Sequence, residues 1–293
     1  NSNATLPASE TEVGELWKVQ VIAIDQNGLI SEIAEIAWPS IGDSDGDGVS
    51  DANDYAPNDP TIAFYSRTPT SGWYTLAYED LWPNEGDYDL NDFVSHYALG
   101  VYTNANNQIT RFDYYGQAIA RGAAEDNGFA ISLAGLEDTD VTSLTKTYNG
   151  STVALTPEAG HSGELACVVS DSVAAMLPST STYSFYNTES GDARSLIDYS
   201  VSLVIDGSIP ALSNTDFNPF IYKANARGRE IHLMNYPNTD VADTAIFGAG
   251  DDDTVTSEGE YYQNTTGHPW ALDSPGQWSH PYERIDTCEA YEH

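Results

Sequence analysis

Residues 93–102 read FVSHYALGVY, the longest in a series of short β-type runs. Ile109 to Tyr115, Phe129 to Leu133, Ser151 to Leu155, Tyr199 to Ile205 and Glu230 to Met234 are the others, with Gly, Asn, Asp and Pro between them. Helical spacing of apolar residues is scarce. Asp171 to Met176 suits a short helix capped by Asp171, and Ala118 to Glu125 is ambiguous. Many short strands joined by turn residues predict a mainly all-β chain built as an antiparallel, jelly-roll-like β-sandwich. That unit runs from about Ile62 onward, over residues 62–293. The stretch after Phe247 is loop-rich and is expected to wrap the sandwich.

Upstream, Leu16 to Ile24 (LWKVQVIAI) alternates as a strand does, and Asp25-Gln26-Asn27-Gly28 supplies a turn. Leu29 to Ile36 follows as a second strand. Residues 1–40 thus suit a β-hairpin arm on the main domain or the tail of a preceding immunoglobulin-like domain.

Residues 41–61 are a connector whose centre, Asp43 to Asp54, reads DSDGDGVSDAND. Asp43, Asp45 and Asp47 fall at loop positions one, three and five. Gly48 falls at six, Asp51 at nine and Asp54 at twelve. Hard oxygen donors at alternate positions, a backbone carbonyl from Val49 and a closing carboxylate are the ligand order of a calcium loop. So many carboxylates repel one another until a cation neutralises them. Asp at position twelve has a shorter arm than the usual Glu, and Pro39 and Gly42 rule out a long entering helix. This D-x-D-x-D-G-x-x-D-x-x-D-x-x-P run, ending at Pro57, resembles a thrombospondin type 3 repeat. A single copy implies a hinge or spacer between extracellular domains.

The whole chain carries 45 acidic against 10 basic side chains, a formal net charge of −35. That balance disfavours nucleic acid and anionic membrane surfaces as partners, and it suits several bound divalent cations. No apolar stretch reaches eighteen residues, so no membrane insertion is expected, and no signal-peptide pattern opens the sequence. The chain reads as a mature fragment, monomeric, of a larger protein. Cys167 and Cys288 could pair in an exported protein, which would stabilise by roughly 4 kcal/mol in the entropic model, but spacing alone does not bring them together.

A second acidic constellation lies in Tyr78 to Val94, YEDLWPNEGDYDLNDFV. Asp87, Asp89, Asn91 and Asp92 set oxygen donors where the chain enters an apolar strand, and Glu79 and Asp80 could fold back across the Pro83–Gly86 turn. They read either as metal ligands or as caps for backbone groups at a strand start. Together with FNPFI (217–221), GREIHL (228–233) and FGAGDDD (247–253), this stretch resembles the LruC-domain family. The resemblance implies the carboxyl-terminal domain of a secreted or surface bacterial protein. A GDYDLND-like block also occurs in calcium-dependent, sugar-binding domains of bacterial adhesins, and that likeness favours metal ligation by Asp87, Asp89, Asn91 and Asp92.

In Gly248-Ala249-Gly250-Asp251-Asp252-Asp253, glycines leave three carboxylates on one loop, as a metal or ligand loop or as a solvated turn. Asp251 and Asp252 are the candidate metal ligands there and Asp253 a ligand-binding residue. His268-Pro269-Trp270 and Trp278-Ser279-His280 interleave rings with polar groups, so His268, Trp270 and Trp278 are candidates for a sugar platform. His96 and His232 read as structural histidines. No G-x-S-x-G elbow or H-E-x-x-H pair is present, and paired carboxylates are too common here to indicate a glycosidase.

The expectation is a non-enzymatic, calcium-dependent binding module of a secreted or surface bacterial adhesin, holding two or more Ca²⁺ and recognising an extracellular glycan or surface ligand. The alternatives are a domain that calcium only rigidifies, and a secreted hydrolase.

Overall fold

The computed structural model describes residues 15, 18–37, 42–209 and 217–291. Leu16 and Trp17, which open the first run of the arm, and residues 38–41, on the approach to the acidic loop, lie outside them. Strands β1 (Lys18–Val21) and β2 (Ala34–Ala37) pair antiparallel. Asp25 fixes the turn between them, its Oδ1 accepting the N–H groups of Asn27 and Leu29 at 2.8 and 2.9 Å. Apolar side chains of this hairpin face solvent, with Ile24 65% and Leu29 71% exposed.

The remaining strands are β3 (Phe64–Thr68), β4 (Tyr74–Tyr78), β5 (Phe93–Thr103), β6 (Ile109–Ala120), β7 (Asn127–Ala134), β8 (Val141–Tyr148), β9 (Ser151–Ala154), β10 (Glu164–Ser170), β11 (Ile197–Ile209), β12 (Phe217–Lys223), β13 (Ala226–His232) and β14 (Ala271–Ser274). The larger sheet has the order β14-β4-β5-β6-β11-β8-β9, and the smaller β10-β7-β12-β13. All their pairings are antiparallel. One edge of β5 is shared end to end: its first residues pair with β4 and its last with β3.

Alternation turns Tyr97 of β5 and Phe112 and Tyr114 of β6 toward the smaller sheet. There they meet Phe217 of β12, with ring centroids 5.6, 6.1 and 5.9 Å away. Phe129 of β7 sits 5.1 Å from Phe93 and 6.0 Å from Tyr114. These interleaved rings are the contact between two sheet faces, so the chain is an all-β sandwich. The rings are fully or almost fully buried and dominate the core.

Several elements depart from the expected ones. β12 runs through Pro219, which pairs with Ile131 of β7 inside the smaller sheet, where proline ordinarily argues against a central strand. The short helix α1 (Val173–Met176) is capped by Ser172, whose Oγ accepts the Ala175 N–H at 2.9 Å, and not by Asp171. Ala118 to Ala120 finish β6. Cys167 is buried in the core and Cys288 is exposed on the short helix α2 (Thr287–Ala290), so no disulfide joins them.

After Phe247 the chain does wrap the sandwich. β14 adds to the free edge of β4, and the segment beyond it crosses the outer face of the larger sheet. Trp278 and Leu272 pack there on Ala77, Tyr88, Leu90, Val94, Ile119 and Ala120. The connector docks through Tyr55, whose ring lies 4.9 Å from Tyr65 and 5.7 Å from Tyr102.

Candidate metal centre

The register pairs Tyr78 of β4 with Phe93 of β5, so Glu79 to Asp92 form the loop of one hairpin. Its ends are tied across the base. The Asp92 N–H donates to the Tyr78 carbonyl at 3.1 Å, and the Asp80 N–H to Asp92 Oδ2 at 2.6 Å. Farther out, Tyr88 and Leu90 both adopt left-handed backbone with φ of 51°. For bulky residues this costs about 1–3 kcal/mol each. Burial of both side chains under the wrapping segment holds them there, and it turns Asp89, set between them, inward.

The result is a nest of carboxylates around Glu79. One ligand atom each from Glu79, Asp87 and Asp89 lies within 4.8 Å of the others, and the same holds for Glu79, Asp80 and Asp92. Glu79 is wholly buried, and neither of its oxygens meets a donor among the described residues. Asp92 faces it as a second acceptor, a pair that a shared proton or a cation must hold together. Burial, then the charges of Asp89, Asp87 and Asp80, push the Glu79 carboxyl up to about 8. Burial also raises Asp89, to about 6, against the pull of the Arg284 and Asn91 amides. Asp92 rises well above the usual range through burial and the charges of Asp80 and Glu79. Asp80 is better served, taking Lys223 Nζ at 3.0 Å and the Asn127 amide at 2.7 Å. Asn91 is buried, its Nδ2 donating to the Pro281 carbonyl at 3.3 Å, while its Oδ1 has no donor.

Of the block read from the sequence, Asp87 and Asp89 thus join one triad and Asp92 the other. Asn91 stands beside them. Glu79, the member common to both triads, was named only as a residue that could fold back.

In the connector, Asp43, Asp45 and Asp47 bring ligand atoms within 4.8 Å of one another. Asp43, Asp45, Asp47, Val49, Asp51 and Asp54 are half-buried, whereas Ser44, Gly46 and Gly48 between them are exposed. Gly48 has φ of 97°, as the tight turn at position six requires. One oxygen each of Asp45, Asp47 and Asp54 is buried without a donor. Asp51 is different: its Oδ1 and Oδ2 accept the Ser44 N–H and hydroxyl at 2.8 and 2.9 Å, so it braces the loop.

In the third cluster, protein donors hold two of the three carboxylates. Asp252 is buried, with Oδ1 accepting the Trp82 indole N–H at 3.0 Å and the Thr254 hydroxyl at 2.9 Å, and Oδ2 accepting the Gly248 N–H at 2.8 Å. Asp251 Oδ2 accepts the Glu85 N–H at 3.0 Å. The exposed Asp253 gives its N–H to the Gln263 carbonyl at 2.9 Å. Asp251 and Asp252 therefore clasp the β4–β5 loop, through Glu85 and Trp82.

The proposed sugar platform also disperses. Trp270 is 1% exposed and donates its indole N–H to the Asn84 carbonyl at 3.1 Å, so its ring is core. His268 is exposed but stacks on Tyr88, centroids 5.6 Å apart. Trp278 lines a shallow depression of about 310 Å³ with His96, Ile119 and His280. His96 is not fully satisfied there, since its Nδ1 is buried without a partner. His232 is satisfied, between Asn218 Oδ1 at 2.8 Å and Glu230 Oε2 at 2.9 Å.

The model of a family described as "Domain of unknown function (DUF4842)" matches residues 107–293. The chain belongs to the DUF4842 family. The DUF4842 match takes in the wrapping segment and both strands that carry Phe129 and Phe217, while the Glu79–Asp92 loop precedes it. Among solved structures, the chain is similar to one described as a "Putative lipoprotein from Bacteroides ovatus", with a TM-score of 0.58 and 16% identity over 96% of this chain and 87% of that one. At that identity the likeness is one of fold. No curated protein matches.

Proposed function

We propose that the chain is a calcium-binding β-sandwich module of a bacterial surface protein, with one cation site in the connector and another in the β4–β5 loop. The observation that carries this reading is Glu79: a wholly buried carboxylate whose two oxygens lack donors and face four further carboxylates. Oxygen-only donors of this kind suit a hard divalent cation. The resemblances to the thrombospondin type 3 repeat and the LruC-domain family, and the fold shared with a protein described as a lipoprotein, support a place at the bacterial surface. Among the described residues no helix is long and apolar enough to cross a membrane. A calcium titration by calorimetry tests the reading on the intact chain, Asp47→Ala and Glu79→Gln. Each variant is expected to lose a different binding event; a titration unchanged by Glu79→Gln would remove the second site.

A carbohydrate partner has a better location than Trp270. An open groove of about 250 Å³ on the larger sheet is lined by Trp73 and Tyr115 together with Thr147, Asn149 and Asp198. Rings beside hydroxyl, amide and carboxylate groups are what a sugar face needs. On a glycan array, hits lost in Trp73→Ala would assign binding to this groove. No hit in calcium would leave the purely structural module. We propose no catalytic role for either place, since the raised carboxylates of the β4–β5 loop, Glu79, Asp89 and Asp92, line neither this groove nor the depression at Trp278.

A further inference from the structure

The segment that crosses the outer face of the larger sheet is fastened to the acidic loop at successive points. The Pro281 carbonyl accepts from Asn91 Nδ2 at 3.3 Å, the Arg284 N–H donates to Asp89 Oδ2 at 2.8 Å, and the Thr287 N–H donates to the Tyr88 carbonyl at 2.9 Å. Between these points lies Glu283. Its backbone N–H donates to the Thr188 carbonyl at 2.9 Å, and its Oε2 accepts the Thr188 hydroxyl at 3.0 Å. That grip holds the carboxylate beside Gly122, next to Asn91 of the acidic loop.

What it faces is Asn91. A Cβ on Gly122 would lie 1.8 Å from Asn91 Oδ1 and 2.9 Å from Glu283 Oε2, so the two oxygens converge on the same small space. Asn91 is wholly buried and Oδ1 has no donor. Two acceptors turned toward one another, beside Asp89, call for a positive charge between them. The charges of Asp89 and Asp87 reach Glu283, which with burial as the first cause holds it up at about 7.

We infer that Glu283 and Asn91 Oδ1 are cation ligands supplied from the far side of the β4–β5 loop, so that a divalent ion bound there also fastens the carboxyl-terminal segment to the sandwich. The inference rests on the calcium reading of the Glu79 centre. It adds an anionic ligand from 283 and a neutral amide oxygen from 91, a mixture typical of calcium sites. Bond lengths to the ion are set by the ion when it binds, and the fastening follows because one ligand lies on each of two segments.

Arg284, next to Glu283 and exposed, gives a direct readout, because trypsin cleaves after it. In an Asp47→Ala background, which removes the connector event, calcium is expected to slow this nick at least ten-fold relative to chelator. Adding Glu283→Gln is expected to weaken calcium binding at least ten-fold and to abolish the protection. If the Asp47→Ala chain shows no calcium event at all, the Glu79 centre itself fails. If it binds calcium but Glu283→Gln binds equally well and is equally protected, the inference is overturned and the centre stands. Should Glu283→Gln not fold, as read by near-ultraviolet circular dichroism, Thr188→Ala substitutes for it. Freeing Oε2 from its hydroxyl is then expected to weaken calcium binding about three-fold, and an unchanged affinity would overturn the inference.

Discussion

The indole N–H of Trp82 donates to Asp252 Oδ1 at 3.0 Å, joining positions 170 residues apart. Trp82 also packs against Tyr262, with ring centroids 5.4 Å apart, and against Phe247 at 5.7 Å. The β4–β5 loop is thereby anchored at its tip by the loop that follows Phe247.

Asp252→Ala removes the acceptor of three donors at once: the Trp82 indole, the Thr254 hydroxyl and the Gly248 amide. Leaving the buried Trp82 and Thr254 donors unpaired is expected to cost about 3 kcal/mol. Urea unfolding in saturating calcium measures this. The number of calcium ions bound by the folded variant should not change, which separates a clasp from a ligand.

Calcium binding at the Glu79 centre should release protons. Burial and the neighbouring carboxylates hold Glu79 at about 8, so without a cation it is largely protonated at pH 7, and binding requires it ionised. Apparent affinity should therefore rise with pH through about 8. Calorimetry at pH 7 in two buffers of different ionisation enthalpy should show net proton release, a release that Glu79→Gln reduces.

Glu230 sets an acid limit that does not involve the cation sites. Burial is the largest influence and acts to raise it. Hydrogen bonds and charge from His232, Thr239 and Arg227 outweigh burial and hold the carboxyl down at about 2. Because the folded value lies below the unfolded 4.5, its contribution is complete above pH 4.5 and is lost as pH falls toward 2. Glu230→Gln should flatten the fall in stability across that window, by at most about 3 kcal/mol. Chemical denaturation at pH 5 and pH 3 checks it.

Gly122→Ala places a methyl group 1.8 Å from Asn91 Oδ1. Asn91 must move, and its oxygen leaves the space it shares with Glu283. The calcium event of the β4–β5 loop is expected to weaken at least ten-fold, with the connector event intact. A titration identical to that of the parent chain would show that Asn91 is no part of the centre.

The sandwich was legible where one strand face is apolar and the next residue is not. β5, β6, β7 and β11 each contain a run read from the sequence, and core side chains recur at every second residue within a strand, as at Phe112 and Tyr114, at Phe129, Ile131 and Leu133, and at Val201, Leu203 and Ile205. β12 was hidden by Pro219, whose missing N–H marks an edge strand when read locally. The acidic block was visible as a cluster, yet its centre was not, because Glu79 gains its meaning only when the hairpin closes over it. Nothing in the sequence shows that Glu85 will donate to Asp251, or Trp82 and Gly248 to Asp252. Trp270 looked like a platform for the same reason: burial is decided by what covers a ring. Glu283 left no local signal, since the oxygen it faces lies far back in the chain.

The tyrosine stack has a mechanical consequence. A pull applied at Gly42 reaches the Asp43–Asp54 loop and then the Tyr55–Tyr65–Tyr102 rings before it loads the backbone ladder of β3 on β5. Ring contacts of this kind contribute about 0.5–1.5 kcal/mol each, far less than a strand ladder shared along its length. If the connector binds the ion proposed for it, it would act as a fuse, slack while its carboxylates repel and stiff once an ion gathers them.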